Sequence, residues 1–175
     1  MGRRGWIAVG AVAIGATAFA SARPHRIAAV PAAPARREAE IRSLDITFYE
    51  QRIAEDSLSA ADRARLAALY LQRARETGSY PDYERAAQLA QRSLALRTSH
   101  NAETYVLLTS ALLAKHDFAA ALRAARMAYA SDTTNASYTA LLGEVELEVG
   151  DYDSAEAHFG MVAIYADKPS VAARL

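Results

Sequence analysis

The chain has 175 residues, no net charge and 52% apolar side chains, of which few are aromatic (8%). That length suits one domain and is thin for two, and scarce Gly (8) and Pro (5) with abundant alanine favour closely packed helices over collagen-like, linker or all-β designs. Zero net charge gives no support to nucleic-acid binding, which needs a basic stripe, and the lack of cysteine excludes disulfide frameworks, Cys-ligated zinc, iron–sulfur clusters and thiol catalysis.

The charge balance hides an asymmetry. Residues 1–40 carry Arg3, Arg4, Arg23, Arg26, Arg36 and Arg37 against Glu38 and Glu40, while the rest of the chain is net acidic. After Arg3 and Arg4 an uncharged run extends from Gly5 to Ala22 and ends in two small-x-small sites, Ala18-Phe19-Ala20 and Ala20-Ser21-Ala22. A cationic start, an apolar middle and an A-x-A end form the pattern of a secretory signal peptide. Cleavage after Ala22 leaves Arg23-Pro24 at the new N-terminus. The competing reading of 1–22 is an uncleaved inner-membrane anchor, although the run is slightly short of the ~20 apolar residues a spanning helix needs and is diluted by Gly10 and Gly15. No Cys follows it, so a lipobox is excluded.

Residues 23–40 contain Pro24, Pro31 and Pro34 among alanines and arginines and are read as a flexible linker. Residues 41–59 are read as an N-terminal capping helix, centred on Asp45–Asp56, with Phe48, Tyr49 and Ile53 packed on Leu66 and Leu69. Beyond it the spacing of apolar residues predicts helices over Ala61–Thr77, Asp82–Leu96, Ala102–His116, Phe118–Ala130, Ser137–Val149 and Asp153–Tyr165. Gly78 and Gly150 fall where a helix end needs positive φ, and Asp117 and Asp151 where a carboxylate can accept amide hydrogen bonds from the next helix.

Self-comparison adds a period. Gly150-Asp151-Tyr152-Asp153-Ser154-Ala155 matches His116-Asp117-Phe118-Ala119-Ala120-Ala121 at an offset of 34, which also maps Leu108 to Leu142 and Asn101 to Asn135. A fixed period of this length marks a helix–turn–helix solenoid. A first unit (60–100) supplies Leu66, Ala67, Tyr70, Ala86, Ala90 and Ser93 to a pattern of large and small residues. A second (102–135) supplies Tyr105, Leu108, Ala121, Ala125 and Ala128, and a third (136–169) Leu142, Gly143, Ala155, Phe159 and Val162. This pattern resembles the tetratricopeptide repeat (TPR) family. The expected architecture of 60–169 is therefore an all-α, TPR-type solenoid of about three repeats. About seven extra residues around Glu76–Asp82 lengthen either the first helix or the turn of the first repeat. Thr109 stands where Gly or Ala is usual. Residues 170–175 read as the opening of a further helix. With no polar capping helix present, the sequence reads as a fragment of a longer repeat protein.

Little in the chain points to chemistry. His25, His100, His116 and His158 are not paired at metal-ligand spacing and read as polar surface or turn residues. Asp151-x-Asp153 with Glu156 is too short for a calcium loop of the EF-hand type and reads as helix capping. No G-x-S-x-G, P-loop, G-x-G-x-x-G or H-E-x-x-H occurs. The chain is read as non-enzymatic, with no cofactor and no metal.

What the TPR resemblance implies is a concave groove lined from the first helix of each pair. Its positions here are Gln72, Glu103, Val106, Ser110, Leu113, Ser137, Ala140, Glu144 and Glu148. Glu144 and Glu148 share a helix face and make one end acidic, suited to a basic or amphipathic peptide. The carboxylate clamp of chaperone-binding TPR domains does not carry over, because Ala64, Ala68, Val106, Ser110 and Ala140 stand in its place. The function expected is an interaction module of the bacterial cell envelope, binding another protein or a peptide segment and contacting membrane only through residues 1–22 if these are not cleaved. Two alternatives stand beside it. One is the N-terminal scaffold of a larger membrane-anchored protein; the other is self-association through the last repeat, by Met161, Val162, Ile164 and Tyr165.

Expression in a bacterium with fractionation tests the N-terminus: intact mass is expected to show a periplasmic species lacking residues 1–20 or 1–22. A full-mass species in the membrane fraction establishes the anchor instead.

Overall fold

A computed structural model of the chain describes residues 32–166. The segment expected to be a signal peptide or anchor (1–22), the first part of the expected linker and the helix opening expected at 170–175 lie outside the described residues. Seven helices follow in order: α1 (Ala32–Glu55), α2 (Ala60–Thr77), α3 (Tyr80–Leu96), α4 (Ala102–Ala114), α5 (Phe118–Ser131), α6 (Ala136–Val149) and α7 (Tyr152–Ala166). Among the described residues there is no strand. The last six helices pair as hairpins, α2 with α3, α4 with α5 and α6 with α7, and the first helices of successive hairpins lie side by side. This is the expected solenoid of three helix pairs.

Small residues let the backbones come together. Ala67, Ala90, Ala121, Ala125, Ala128 and Ala155 have no exposed surface, and Leu66, Leu71, Leu108, Leu112, Leu142 and Val145 fill the space around them. All six pattern residues of the first repeat are buried, as are Leu108, Ala121, Ala125 and Ala128 of the second. Thr109, where the pattern usually has Gly or Ala, is also fully buried and donates its hydroxyl to the Tyr105 carbonyl at 2.8 Å. Satisfying that donor within its own helix lets the position stay inside without an unpaired polar atom. At the equivalent Gly143, an added Cβ would stand 3.1 Å from the ring of Phe159, so the third hairpin closes on the missing side chain.

The extra length of the first repeat goes into its helices. α2 and α3 run 18 and 17 residues against 13 and 14 for α4 and α5, while the α2–α3 turn is only Gly78 and Ser79. A polar chain staples this longer hairpin. Arg73 bonds Asp82 bidentately, 2.7 Å on each side, with its guanidinium 4.8 Å above the Tyr70 ring. The Arg73 hydrogen bonds hold the Asp82 carboxyl below the usual carboxylate range. The Tyr70 hydroxyl in turn donates to Glu50 on α1 at 2.5 Å.

The N-terminal helix departs from expectation in two ways. It begins at Ala32, inside the stretch expected to be linker. Pro34 lies in its first turn, where the missing amide costs no intrahelical bond, and the surrounding alanines carry the helix. Second, Phe48 does not pack on Leu66 and Leu69; it is 52% exposed, and Ile46, at 4%, takes the core position with Tyr49 and Ile53 beside it. Polar anchors set this rotation. Arg42 donates to Glu76, and Arg52 donates through Nε to Asp62 at 3.0 Å. Those bonds turn the Arg42–Ile46–Tyr49–Ile53 stripe toward α2 and Phe48 away from it.

The turns explain two left-handed residues at equivalent positions. Gly150 ends α6 with φ 82°, and His116 closes the end of α4 with φ 58°. In both turns the next amide reaches back six residues inclusive, Asp151 N–H to the Glu146 carbonyl (2.9 Å) and Asp117 N–H to the Leu112 carbonyl (3.0 Å). As expected, Asp117 and Asp151 then cap the following helices, accepting from the amides of Ala120 and Ser154. Substitutions here should act in opposite directions. Nothing lies within 4 Å of where a Cβ on Gly150 would stand, so Gly150→Ala is expected to cost about 1 kcal/mol through the backbone alone. His116→Gly relieves the same strain and is expected to gain about 0.5 kcal/mol, trimmed by the lost edge contact with Phe118. Urea midpoints at unchanged slope measure both.

Candidate functional site

The first helices of the second and third hairpins, α4 and α6, bound a groove of about 470 Å³. Its walls are Glu103, Val106, Asn135, Ala136, Ser137, Tyr138, Ala140, Leu141 and Glu144, closed at one side by Val162 of α7. An adjoining hollow of about 360 Å³ lies over Leu113, His116, Phe118, Leu147 and Glu148 and shares Glu144. Of the expected groove residues, Glu103, Val106, Ser137, Ala140 and Glu144 therefore meet in one pocket, and Leu113 and Glu148 join Glu144 in the next. Gln72 is elsewhere, between α1 and α2 with Ile41, Arg42 and Asp45. Ser110 lines none of these pockets.

Local sequence sets these walls in place. Asn135 caps α6 by accepting the amides of Ser137 (3.0 Å) and Tyr138 (3.3 Å), which fixes where the first turn of the helix faces. Tyr138 is buried to 8% exposure, yet its hydroxyl reaches across to α4 and donates to Glu103 Oε1 at 2.7 Å. Burial, the bond to Glu103 and the charge of that carboxylate push the phenol up to about 12. Among the lining residues of the two hollows, Glu103, Glu144 and Glu148 are acidic and none is Lys or Arg. The lining between them is largely apolar, from Ala136 and Ala140 to Val106, Leu113, Phe118, Leu141 and Leu147. Such a surface repels anions and offers both apolar area and negative charge to a basic segment.

No family model matches the chain, and no curated protein matches it in sequence. Solved structures do. A crystal structure of MamA is 22% identical, with a TM-score of 0.64 over 73% of this chain and 70% of that one. The MamA RS-1 ArsTM double mutant is 18% identical, with a TM-score of 0.63 over 73% of this chain and 67% of that one. The fold is a TPR-like solenoid. At these identities the likeness concerns the fold alone.

Within this TPR-like solenoid the sequence pattern did not single out Asn135, Leu141 or Leu147 as groove residues, nor Tyr138. The first is a helix cap, and Tyr138 is a core residue of which only the hydroxyl end meets the groove. The one signal for Tyr138 was its place just inside α6, next to Ser137. The surface reading of His158 is corrected: it lies on α7 with its Nδ1 2.7 Å from the buried Glu146 carboxylate of α6 and its ring edge-on to Tyr129. A helix-borne histidine opposite a carboxylate twelve residues earlier becomes visible as a pair only once α6 and α7 fold back on each other. Asp151, expected to cap, does so, and among the described residues no three metal-ligating side chains cluster.

The raised Tyr138 phenol makes alkaline pH a probe of this site. The folded value, about 12, lies above the ordinary value near 10. Its contribution is therefore complete below about pH 10 and lost as the pH rises through about 12. Tyr138→Phe is expected to cost about 1 kcal/mol at neutral pH. It should also flatten the alkaline fall in stability, leaving the part due to Tyr70, which burial and Glu50 likewise raise. Chemical unfolding from pH 8 upward measures both effects.

Proposed function

We propose that this chain is a non-enzymatic protein-interaction scaffold of the TPR type, exported to the bacterial cell envelope, that takes a basic or amphipathic peptide segment of another protein in the groove over α4 and α6. The observation that carries this reading is the acidic, largely apolar groove with three glutamates and no Lys or Arg on its walls. The fold supports the general part, since stacked helix pairs offer an extended open surface rather than the closed, water-excluding pocket that catalysis uses. The envelope assignment rests on the pattern of residues 1–22. No cofactor enters this reading.

Binding runs through Glu103, Val106, Leu113, Ser137, Ala140, Glu144 and Glu148, with Gln72 and Ser110 lying off the contact. Glu144 and Glu148 are solvent-exposed, so each supplies about 0.2–1 kcal/mol of screened attraction. Apolar contact with Val106, Ala140 and Leu141 supplies the remainder.

Fluorescence anisotropy with lysine- and arginine-rich amphipathic peptides, against acid-rich peptides of the same apolar pattern, is the direct test. The basic set is expected to bind and to weaken with salt. Glu144→Lys/Glu148→Lys should lower affinity by about tenfold or more. Equal binding of both peptide sets, or indifference to the double reversal, refutes the acidic-groove reading.

A further inference from the structure

Beside its core-facing residues α1 carries a second apolar stripe, with Ile41 at its edge, where it also borders the hollow shared with Gln72 of α2. Arg37, Ile41, Leu44, Phe48, Gln51 and Glu55 follow one another at steps of four and three residues. That alternation is the heptad spacing of a coiled-coil seam, whereas the residues facing α2 already form the other side of the helix. Ile41, Leu44 and Phe48 are 50%, 71% and 52% exposed. Three large apolar side chains in one line on an exposed face have a cost in water that a partner helix relieves.

The ends of the stripe say which partner. Arg37 stands at one end and Glu55 at the other, both exposed. We propose that α1 pairs antiparallel with α1 of a second copy of this chain, Ile41, Leu44 and Phe48 forming the seam and Arg37 of each copy meeting Glu55 of the other. A register that sets Arg37 opposite Glu55 also sets Leu44 opposite Phe48 and Ile41 opposite Gln51, so the apolar residues stay in the middle. Parallel pairing brings Arg37 to Arg37 and Glu55 to Glu55, two like-charge contacts that disfavour it. An anionic lipid surface is a poorer occupant, because Glu38, Glu40 and Asp45 border the stripe. The seam is short for a stable interface, so the pair forms at micromolar or higher concentration. This inference does not depend on the groove reading.

Sedimentation velocity of the purified full chain over a wide concentration range, with helix content followed by circular dichroism, tests it. The chain is expected to dimerise with concentration. Arg37→Glu and Glu55→Arg should each weaken the dimer by about tenfold, and combining them should restore it to within about threefold of the original. The absence of native cysteine allows a second readout. Ile41→Cys chains mixed with Gln51→Cys chains should cross-link to each other, and Ile41→Cys chains alone should not. A monomer at every concentration overturns the proposal. So does a dimer indifferent to both charge reversals, which places the contact elsewhere, for instance at Met161 and Ile164, or an Ile41→Cys chain that links to itself.

Discussion

Everything in this solenoid depends on how closely helix backbones can approach. Alanines at Ala67, Ala90, Ala121, Ala125 and Ala155, all without exposed surface, let neighbouring helices touch over their full length. The leucines and tyrosines beside them then interlock. A helix larger at these points stands off and loses dispersion contacts along its whole face. One hairpin alone buries only one side of each helix, so the stability of each pair is borrowed from its neighbours. The fully buried Thr109 shows how narrow the tolerance is: it is admitted because its hydroxyl turns back onto the Tyr105 carbonyl of its own helix.

The N-terminal helix is attached by a different physics. α1 keeps its backbone farther from α2 than the hairpins keep theirs and reaches across with long side chains, Arg42 to Glu76, Glu50 to Tyr70 and Arg52 to Asp62. Polar anchors of this kind fix rotation about the helix axis more than they add stability. Once Ile46 and Ile53 are turned inward, Leu44 and large parts of Ile41 and Phe48 are left facing solvent. The same anchors that dock α1 thereby create its second surface.

The groove is a consequence of stacking as well. Its acidic walls come from two repeats, Glu103 from one and Glu144 from the next, and the Tyr138–Glu103 bond crosses between them. That bond holds the two first helices at a set spacing and spends one carboxylate lone pair on the scaffold. Glu144 and Glu148 face solvent. The acidic wall of the groove and the cohesion of the repeats therefore share a residue, Glu103.

The repeat, its helices and most of its core were legible in the sequence, because a helix that must pack on both sides repeats its small and large residues at fixed spacing. Helix ends came within two residues for α2 to α7, where Gly78, Gly150, Asp117 and Asp151 carry local capping chemistry that acts over a few residues. What only the tertiary structure decided involves residues far apart in the chain. The helical stretch of α1 from Ala32 hid behind Pro34, which a first helical turn tolerates, and its rotation hung on ion pairs to Asp62 and Glu76, which no local period encodes. The meeting of His158 with Glu146, and the gathering of Glu103, Ala140 and Glu144 while Gln72 fell aside, followed from how whole helices stack. Local spacing determines what a helix can bury; only the neighbouring helices determine which of its faces remains open.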